Sequence, residues 1–304
     1  MRVLITGGAG FIGSHLAYKW SRDAEVIILD NLRTGFTKNL DGLDLEFVEG
    51  DIKDAGLVEK CMEGVDLVFH LAAMVSVPES VKSPEACLMD NGLGTLNLLR
   101  AAANAKVGRV VFASSAAVYG NNPDMPKVES MLPEPGSPYA VTKLDGEYYM
   151  DFYHAQHGIS TASLRFFNVF GPRQNPSGPY ASAVPVFISK ALAGDPIAIF
   201  GDGSQTRDFI FVDDIVSALS FLGSRKDITG VFNAGYGKST RIDELATLVK
   251  EKTGSESEIL FRDERAGDVK HSFASAEKLV ALGWNPGWSF EEGLDLTINS
   301  YKDS

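Results

Sequence analysis

Cysteine is almost absent from this chain: Cys61 and Cys87 are the two in 304 residues. That excludes a disulfide framework and a cysteine-built metal cluster, so no metal site is expected. It suits a reducing compartment, and a cytoplasmic protein with both thiols buried as small hydrophobes is expected. No apolar run reaches the roughly 18 residues that a membrane span needs. A strand-like run, Arg2-Val3-Leu4-Ile5-Thr6, begins at once and leaves no room for a signal peptide. Neither a membrane nor a nucleic acid is expected as a partner, because the net charge is −12 and no basic stripe offsets it. Anionic small ligands stay open, since a few arginines and helix N-termini set the local field. Internal repeats and low-complexity tracts are also missing. Histidine is scarce: His70 falls in an apolar run, and His154 and His157 lie on a helical stretch. Core or surface roles are expected for all three.

What is present is alternation. Apolar, strand-like runs occur at 2–6, 25–29, 45–48, 66–70 and 108–113, with helical patterns near 11–22, 54–63 and 84–104 between them. Strand–helix alternation at this spacing implies parallel βαβ units, hence a doubly wound α/β sheet. Runs such as 65–71 and 110–113 are apolar on both faces, as a sheet covered on both sides requires. Ser137 and Pro138 suit the cap and first position of a long helix. Beyond residue 168 the pattern loosens, and Gly171-Pro172-Arg173 and Gly201-Asp202-Gly203 read as loops. Helices near 181–193, 213–223, 241–253, 275–282 and 290–302 follow. The expected division is a dinucleotide-binding domain over 1–168, to which segments near 205–237 return, and a smaller C-terminal α/β substrate lobe over 169–304.

The first strand runs into Gly7-Gly8-Ala9-Gly10-Phe11-Ile12-Gly13 and then a helix. Such glycines allow a tight turn and let backbone N–H groups approach a pyrophosphate at the helix N-terminus. The second strand ends at Asp30, where a carboxylate can accept both ribose hydroxyls and repel a 2′-phosphate, favouring NAD. Arg33 nearby keeps the phosphorylated dinucleotide open. Asp51-Ile52 is placed to contact adenine, and the small residues of Leu71-Ala72-Ala73 permit close approach. Tyr139 and Lys143 stand four apart and so share one helix face. A neighbouring cation and an oxidised dinucleotide favour phenolate. Tyr139 is therefore expected to be an acidified general base. Ser115, at the end of the fifth strand, can bond a substrate hydroxyl and shuttle its proton.

Together these residues resemble the extended short-chain dehydrogenase/reductase family, and within it the UDP-glucose 4-epimerases. The resemblance runs nearly the full chain, through the glycine loop, Asp30-Asn31-Leu32, 114–120, 137–143, Arg165-Phe166-Phe167-Asn168, Arg207-Asp208-Phe209 and Arg265-Ala266-Gly267-Asp268. It implies a Rossmann fold, NAD as a tightly held cofactor, a homodimer through paired helices, and Ser115, Tyr139 and Lys143 as the catalytic trio. It implies cofactor contacts from Gly7, Gly10, Phe11, Ile12, Gly13, Asp30, Asn31, Gly35, Asp51, Ile52, Leu71, Ala72, Ala73, Asn91, Tyr139, Lys143 and Phe166. It implies substrate contacts from Ser115, Asn168, Ala198, Phe200, Arg207, Arg265, Asp268 and Ser272, with the two arginines and Asn168 on the diphosphate. The chain departs from many members at Met74-Val75, where they carry a lysine. Dehydratases and decarboxylases place an acid where this chain has Ala116 and Ala117, so C4 inversion of a UDP-hexose is the expected reaction. Ser272 stands where strict glucose/galactose enzymes carry a tyrosine, which leaves space for an N-acetyl group. UDP-glucuronate 4-epimerisation and 4-keto reduction are sibling alternatives. A non-catalytic NAD-sensing protein is the rival from another class; it would need neither Tyr139 nor Lys143.

Overall fold

A strand buried on both faces is stable only where helices cover both sides of its sheet. The computed structural model builds that arrangement and describes residues 1–177, 181–264 and 270–302. In chain order the strands and α-helices are β1 (Arg2–Thr6), α1 (Phe11–Trp20), β2 (Glu25–Asp30), β3 (Glu46–Glu49), α2 (Ala55–Cys61), β4 (Leu67–His70), α3 (Val77–Lys82), α4 (Pro84–Cys87), α5 (Gly94–Asn104), β5 (Arg109–Ser115), α6 (Pro138–His157) and β6 (Ser160–Phe166). There follow β7 (Asn168–Phe170), α7 (Ala183–Ala193), β8 (Ile197–Phe200), β9 (Thr206–Arg207), β10 (Phe209–Phe211), α8 (Val212–Gly223), β11 (Gly230–Ala234), β12 (Thr240–Arg241), α9 (Ile242–Thr253), β13 (Ile259–Arg262), α10 (Glu277–Val280) and α11 (Phe290–Lys302). The chain divides into two units. The first comprises Met1–Gly120, Met131–Phe166 and Val216–Phe232; the second comprises Asn121–Ser130, Phe167–Ile215 and Asn233–Ser304.

The first unit is the doubly wound α/β domain. Its seven-stranded sheet runs β11-β6-β5-β4-β1-β2-β3, and all pairings among β1–β6 are parallel. The order reverses between β4 and β1, the point at which sheets of this kind bind ligands beyond their strand ends. Leu4, Val68, Val110 and Phe112 pack on one face against Val58 of α2, Leu98 and Leu99 of α5 and Met150 of α6. On the other face Trp20 of α1 lies against Phe69, ring centres 5.3 Å apart, and its indole N–H donates to Ser220. The helix that carries Tyr139 starts where its sequence says it should: the Ser137 hydroxyl accepts from Ala140 N–H at 3.2 Å, and Pro138 needs no donor there.

The 84–104 stretch is not one regular helix. Between α4 and α5 the chain makes a π-helical turn over Leu88–Leu93, which brings Asn91 inward. Short helix α3, capped by Ser76 on Glu79 N–H, and strand β6 are additional to the elements expected from the sequence.

The second unit is built from two-stranded pieces. β7 pairs in parallel with β10, β8 in parallel with β13, and β9 antiparallel with β12. Its core includes Phe170, Phe209, Phe211 and Phe290, neighbouring rings centred 5.3–6.4 Å apart. No described helix is long and apolar enough to cross a membrane. Cys61 and Cys87 are both free and buried.

His70 lies fully inside the first unit, its two ring nitrogens bonded to Thr6 at 2.7 Å and Thr95 at 2.9 Å. Burial, with Lys143 nearby, pushes its pKa down to about 3. The unfolded imidazole titrates near 6.5. Its contribution is therefore complete above about pH 6.5 and is lost as pH falls toward 3, at ~1.4 kcal/mol per pH unit. From about pH 7 to about pH 5 this residue alone should remove ~2 kcal/mol of stability. Urea unfolding of wild type and His70→Gln at both pH values checks this: the variant should lose that much less on acidification.

Candidate active site

The turn between β1 and α1 needs residues without side chains. Gly7 has φ +72°, and its N–H donates to Leu29 O at 2.9 Å. A Cβ at Gly13 would fall 2.1 Å from Gly7 O. Gly10 caps α1 with no side-chain bond, and no acidic residue stands in the first turn. The first N–H groups of a ten-residue helix thus face outward with the positive end of its dipole, the arrangement that holds a pyrophosphate. Phe11 and Ile12 open that helix. Gly35 lies against Ala9, whose carbonyl accepts from Phe36 N–H and Asn39 Nδ2.

Asp30 ends β2, its two carboxylate oxygens accepting from Ala9 N–H (3.0 Å) and Leu32 N–H (2.8 Å). Burial raises its pKa, and those two donors oppose the rise. Leu32 holds φ +57° to complete the turn, a costly conformation for a non-glycine residue and one common at ligand sites. Asn31 donates to Asp51 at 2.9 Å. Ile52 is buried under α5. Arg33 is paired with Glu79 and Asp90, and Lys53 with Asp90 and Asp51. Leu71 N–H donates to Thr6 O and Ala72 N–H to Thr6 Oγ1, laying 71–73 along Gly7. The Asn91 side chain is committed to protein partners: Oδ1 accepts from Met74 N–H at 2.7 Å, and Nδ2 donates to Met74 O and Thr142. It braces the Met74 loop to α6.

The trio assembles at the ends of β5 and α6. Ser115 ends β5 and is register partner of Phe166 at the end of β6. Its hydroxyl accepts from Ala117 N–H at 3.2 Å, and its side chain is near enough to the Tyr139 phenol to favour the ionised form. Lys143 donates to Ala113 O at 2.7 Å, with its nitrogen 5.8 Å from the Tyr139 ring centre. Tyr139 packs against Met74 and Cys87, and its N–H donates to Ser80.

In the protein without its cofactor, burial raises the Tyr139 pKa, outweighing the effect of Ser115, and Cys87 adds to the rise. Burial likewise brings Lys143 down to about 8, against the pull of Cys87 and Glu147. Sequence spacing puts the ammonium near the phenol but not the degree of burial, which disfavours both charged forms.

In the second unit Asn168 and Arg207 lie together around Asp208. Asn168 N–H and Nδ2 both donate to Asp208 O, at 3.0 and 3.2 Å. Arg207 donates to Thr206 O at 2.9 Å. Thr206 N–H bonds Lys270 O, bringing half-buried Ser272 to the same end of the unit. Phe200 joins this group through the Gln205 side chain, which donates to its carbonyl, while Ala198 is half-buried on β8 opposite Leu260. Arg265 and Asp268 lie outside the described residues. Asp208 was missed as an organiser. Fully buried, its carboxylate accepts from the N–H groups of Tyr236, Gly237 and Ala274, and burial pushes its pKa up to about 6. Its signal was an acid between Arg207 and an apolar strand. Among the described residues no cluster of His, Cys, Asp or Glu is arranged to hold a metal ion.

The family model described as "NAD dependent epimerase/dehydratase family" matches residues 3–235. A putative UDP-glucose 4-epimerase of Methanocaldococcus jannaschii is 40% identical over 306 residues, covering 99% of each chain. Among solved structures, the UDP-N-acetylglucosamine 4-epimerase of Methanobrevibacter ruminantium in complex with UDP-N-acetylmuramic acid superposes with TM-score 0.96 at 40% identity, covering 99% of this chain and 98% of that one. The Thermus thermophilus UDP-glucose 4-epimerase complex with NAD gives TM-score 0.93 at 37% identity, covering 99% of each.

Proposed function

The chain belongs to the NAD-dependent epimerase/dehydratase family, and from that membership we propose that it inverts C4 of a UDP-hexose through a 4-keto sugar. The observation that carries the reading is the convergence of the Ser115 and Tyr139 side chains, beside a lysine seated on Ala113 O, in the unit that holds the glycine turn. NAD is the cofactor of the family, and the glycine cradle fits its pyrophosphate: a Cβ at Gly13 would close it. When bound, NAD supplies a hydride acceptor and a further positive charge. Tyr139 takes the C4 hydroxyl proton and Ser115 steadies that hydroxyl. Lys143, anchored by Ala113, keeps a cation beside the phenol. Asn168 and Arg207, with Arg265, hold the diphosphate, so the keto sugar can turn over on its tether while reaction stays effectively unimolecular. One base serves both directions, which suits a site with alanine at 116 and 117.

Unit one is assigned to NAD and unit two to the nucleotide sugar. Both hexose classes are proposed as substrates, since Ser272 leaves room beside the sugar and the Methanobrevibacter relative is named for UDP-N-acetylglucosamine. The exposed Val141, Tyr148 and Phe152 on α6 support a homodimer through that helix. Two free buried thiols support a cytoplasmic setting. Incubation with UDP-glucose, UDP-N-acetylglucosamine and UDP-glucuronate, with products identified by NMR, tests the reading. C4 epimers of the first two are expected. Conversion of glucose and galactose forms alone would refute the Ser272 argument, and no conversion of any would refute the activity.

A further inference from the structure

Behind the Tyr139–Lys143 face of α6 lies a buried ion pair that the epimerase reading leaves without a task. Glu147 accepts from Arg165 through both oxygens, Nε at 2.8 Å and Nη2 at 2.7 Å, and from the Ser114 hydroxyl at 2.5 Å. The two charged side chains are 3% and 4% exposed. The guanidinium also stacks on Tyr119, 4.7 Å from its ring centre, and its Nη1 is buried without a hydrogen-bond partner.

The placement is what matters. Ser114 and Arg165 are register partners across β5 and β6, and each immediately precedes a site position, Ser115 and Phe166. Glu147 stands one turn past Lys143 and two past Tyr139, roughly 6 and 12 Å along the axis. Gly146 puts no side chain between α6 and the Phe112 ring, so helix and strand meet closely there. One carboxylate therefore joins the helix carrying base and lysine to both strands that end at the site.

Burying such a pair adds little net stability, because desolvation offsets most of the Coulomb gain, and apolar residues of similar volume would serve as well or better. Its distinctive property is direction: three charge-assisted bonds fix rotation and translation where apolar packing allows slippage. Resting on the assignment of Tyr139 and Lys143 above, we propose that Glu147 is a positioning residue. Clamped to Arg165 and Ser114, it sets α6 on β5 so that the Tyr139 hydroxyl meets Ser115 and the Lys143 ammonium meets Ala113 O. Its negative charge also favours the Lys143 ammonium. The other titratable groups around Lys143 are Tyr139 on α6, His70 on β4, which stays neutral above about pH 3, and Cys87 on α4, whose thiol burial pushes up.

The test uses NAD-loaded enzyme. Glu147→Gln should lower kcat by about 10- to 100-fold with KM within about threefold, retain NAD, and move the alkaline limb of the kcat–pH profile down by about one pH unit. The double variant Glu147→Met/Arg165→Met should be at least as stable as wild type in calorimetry, yet show the same loss of kcat, with a smaller shift because the Arg165 charge leaves with Glu147. A folded variant with wild-type kcat or an unmoved limb overturns the proposal. Failure of both to fold also overturns it, since the pair would then serve stability. Tyr139→Phe with full turnover would instead sink the underlying assignment of the base.

Discussion

Tyr139→Phe should keep its NAD and its fold while turnover falls by about 10²-fold or more. The ring packs against Met74 and Cys87, and phenylalanine preserves those contacts. Only the hydroxyl and its interaction with the Ser115 side chain disappear. One neutral hydrogen bond is worth about 1 kcal/mol, so melting should barely move. The chemical loss is large because among the described residues no second acid or base is placed for the step: His70 is held between Thr6 and Thr95, and the 116–117 positions are alanine. Initial rates with saturating UDP-sugar, alongside the content of bound cofactor, decide the matter. Because burial raises the phenol's pKa in the protein alone, the variant should also lose the pH dependence that belongs to this group. Turnover near wild type would place the base elsewhere.

Gly13→Ala should yield protein that no longer retains NAD. Two effects oppose each other in helix α1. Alanine is the better helix former by about 1 kcal/mol. Its Cβ, however, would sit 2.1 Å from Gly7 O and 2.7 Å from Gly8 Cα, both backbone atoms that cannot rotate away. Overpacking against fixed atoms costs about 1–3 kcal/mol, so the clash wins. The loop can relieve it only by moving the N–H groups meant for the pyrophosphate. Each charge-assisted bond lost costs about 1.5–3 kcal/mol, so losing two of them should drop cofactor affinity by at least about 10²-fold. Gly56→Ala is the control: in α2 the same added methyl meets only Asp54 Oδ1, at 3.6 Å, and should be neutral or stabilising. Cofactor released from denatured protein and urea midpoints for both variants provide the comparison. Wild-type NAD content in the Gly13 variant would show that this loop does not cradle the dinucleotide.

The parts legible in the sequence were those governed by local rules. β4 and β5 announced themselves by burial on both faces, and α6 by its serine cap and following proline. Tyr139 and Lys143 were placed on one face by helical periodicity alone. The unforeseen parts depend on distant partners. Asn91 reaches Met74 and Thr142, so the regular helix expected over 84–104 gives way to a π turn. Asp208 gathers Tyr236, Gly237 and Ala274, residues far along the chain. Segment 121–130 joins the second unit through Lys127, bonded to Phe273 and Ser275, which no periodicity signals. Phenol acidity is hard to read for the same reason: spacing reveals neighbours, whereas desolvation depends on everything packed around them.

The cluster beyond Asp30 bears on how far the cofactor preference could be redesigned. Arg33 is a guanidinium there that could greet an extra phosphate, and it is already compensated by Glu79 and Asp90. With Asp30 and Asp51, four carboxylates surround two cations, Arg33 and Lys53. Individually such half-exposed pairs contribute little to stability. Collectively they make a field hostile to a dianion, so neutralising Asp30 alone leaves the corner acidic, and a switch of the proposed cofactor site to a 2′-phosphate would have to change the whole constellation rather than one side chain.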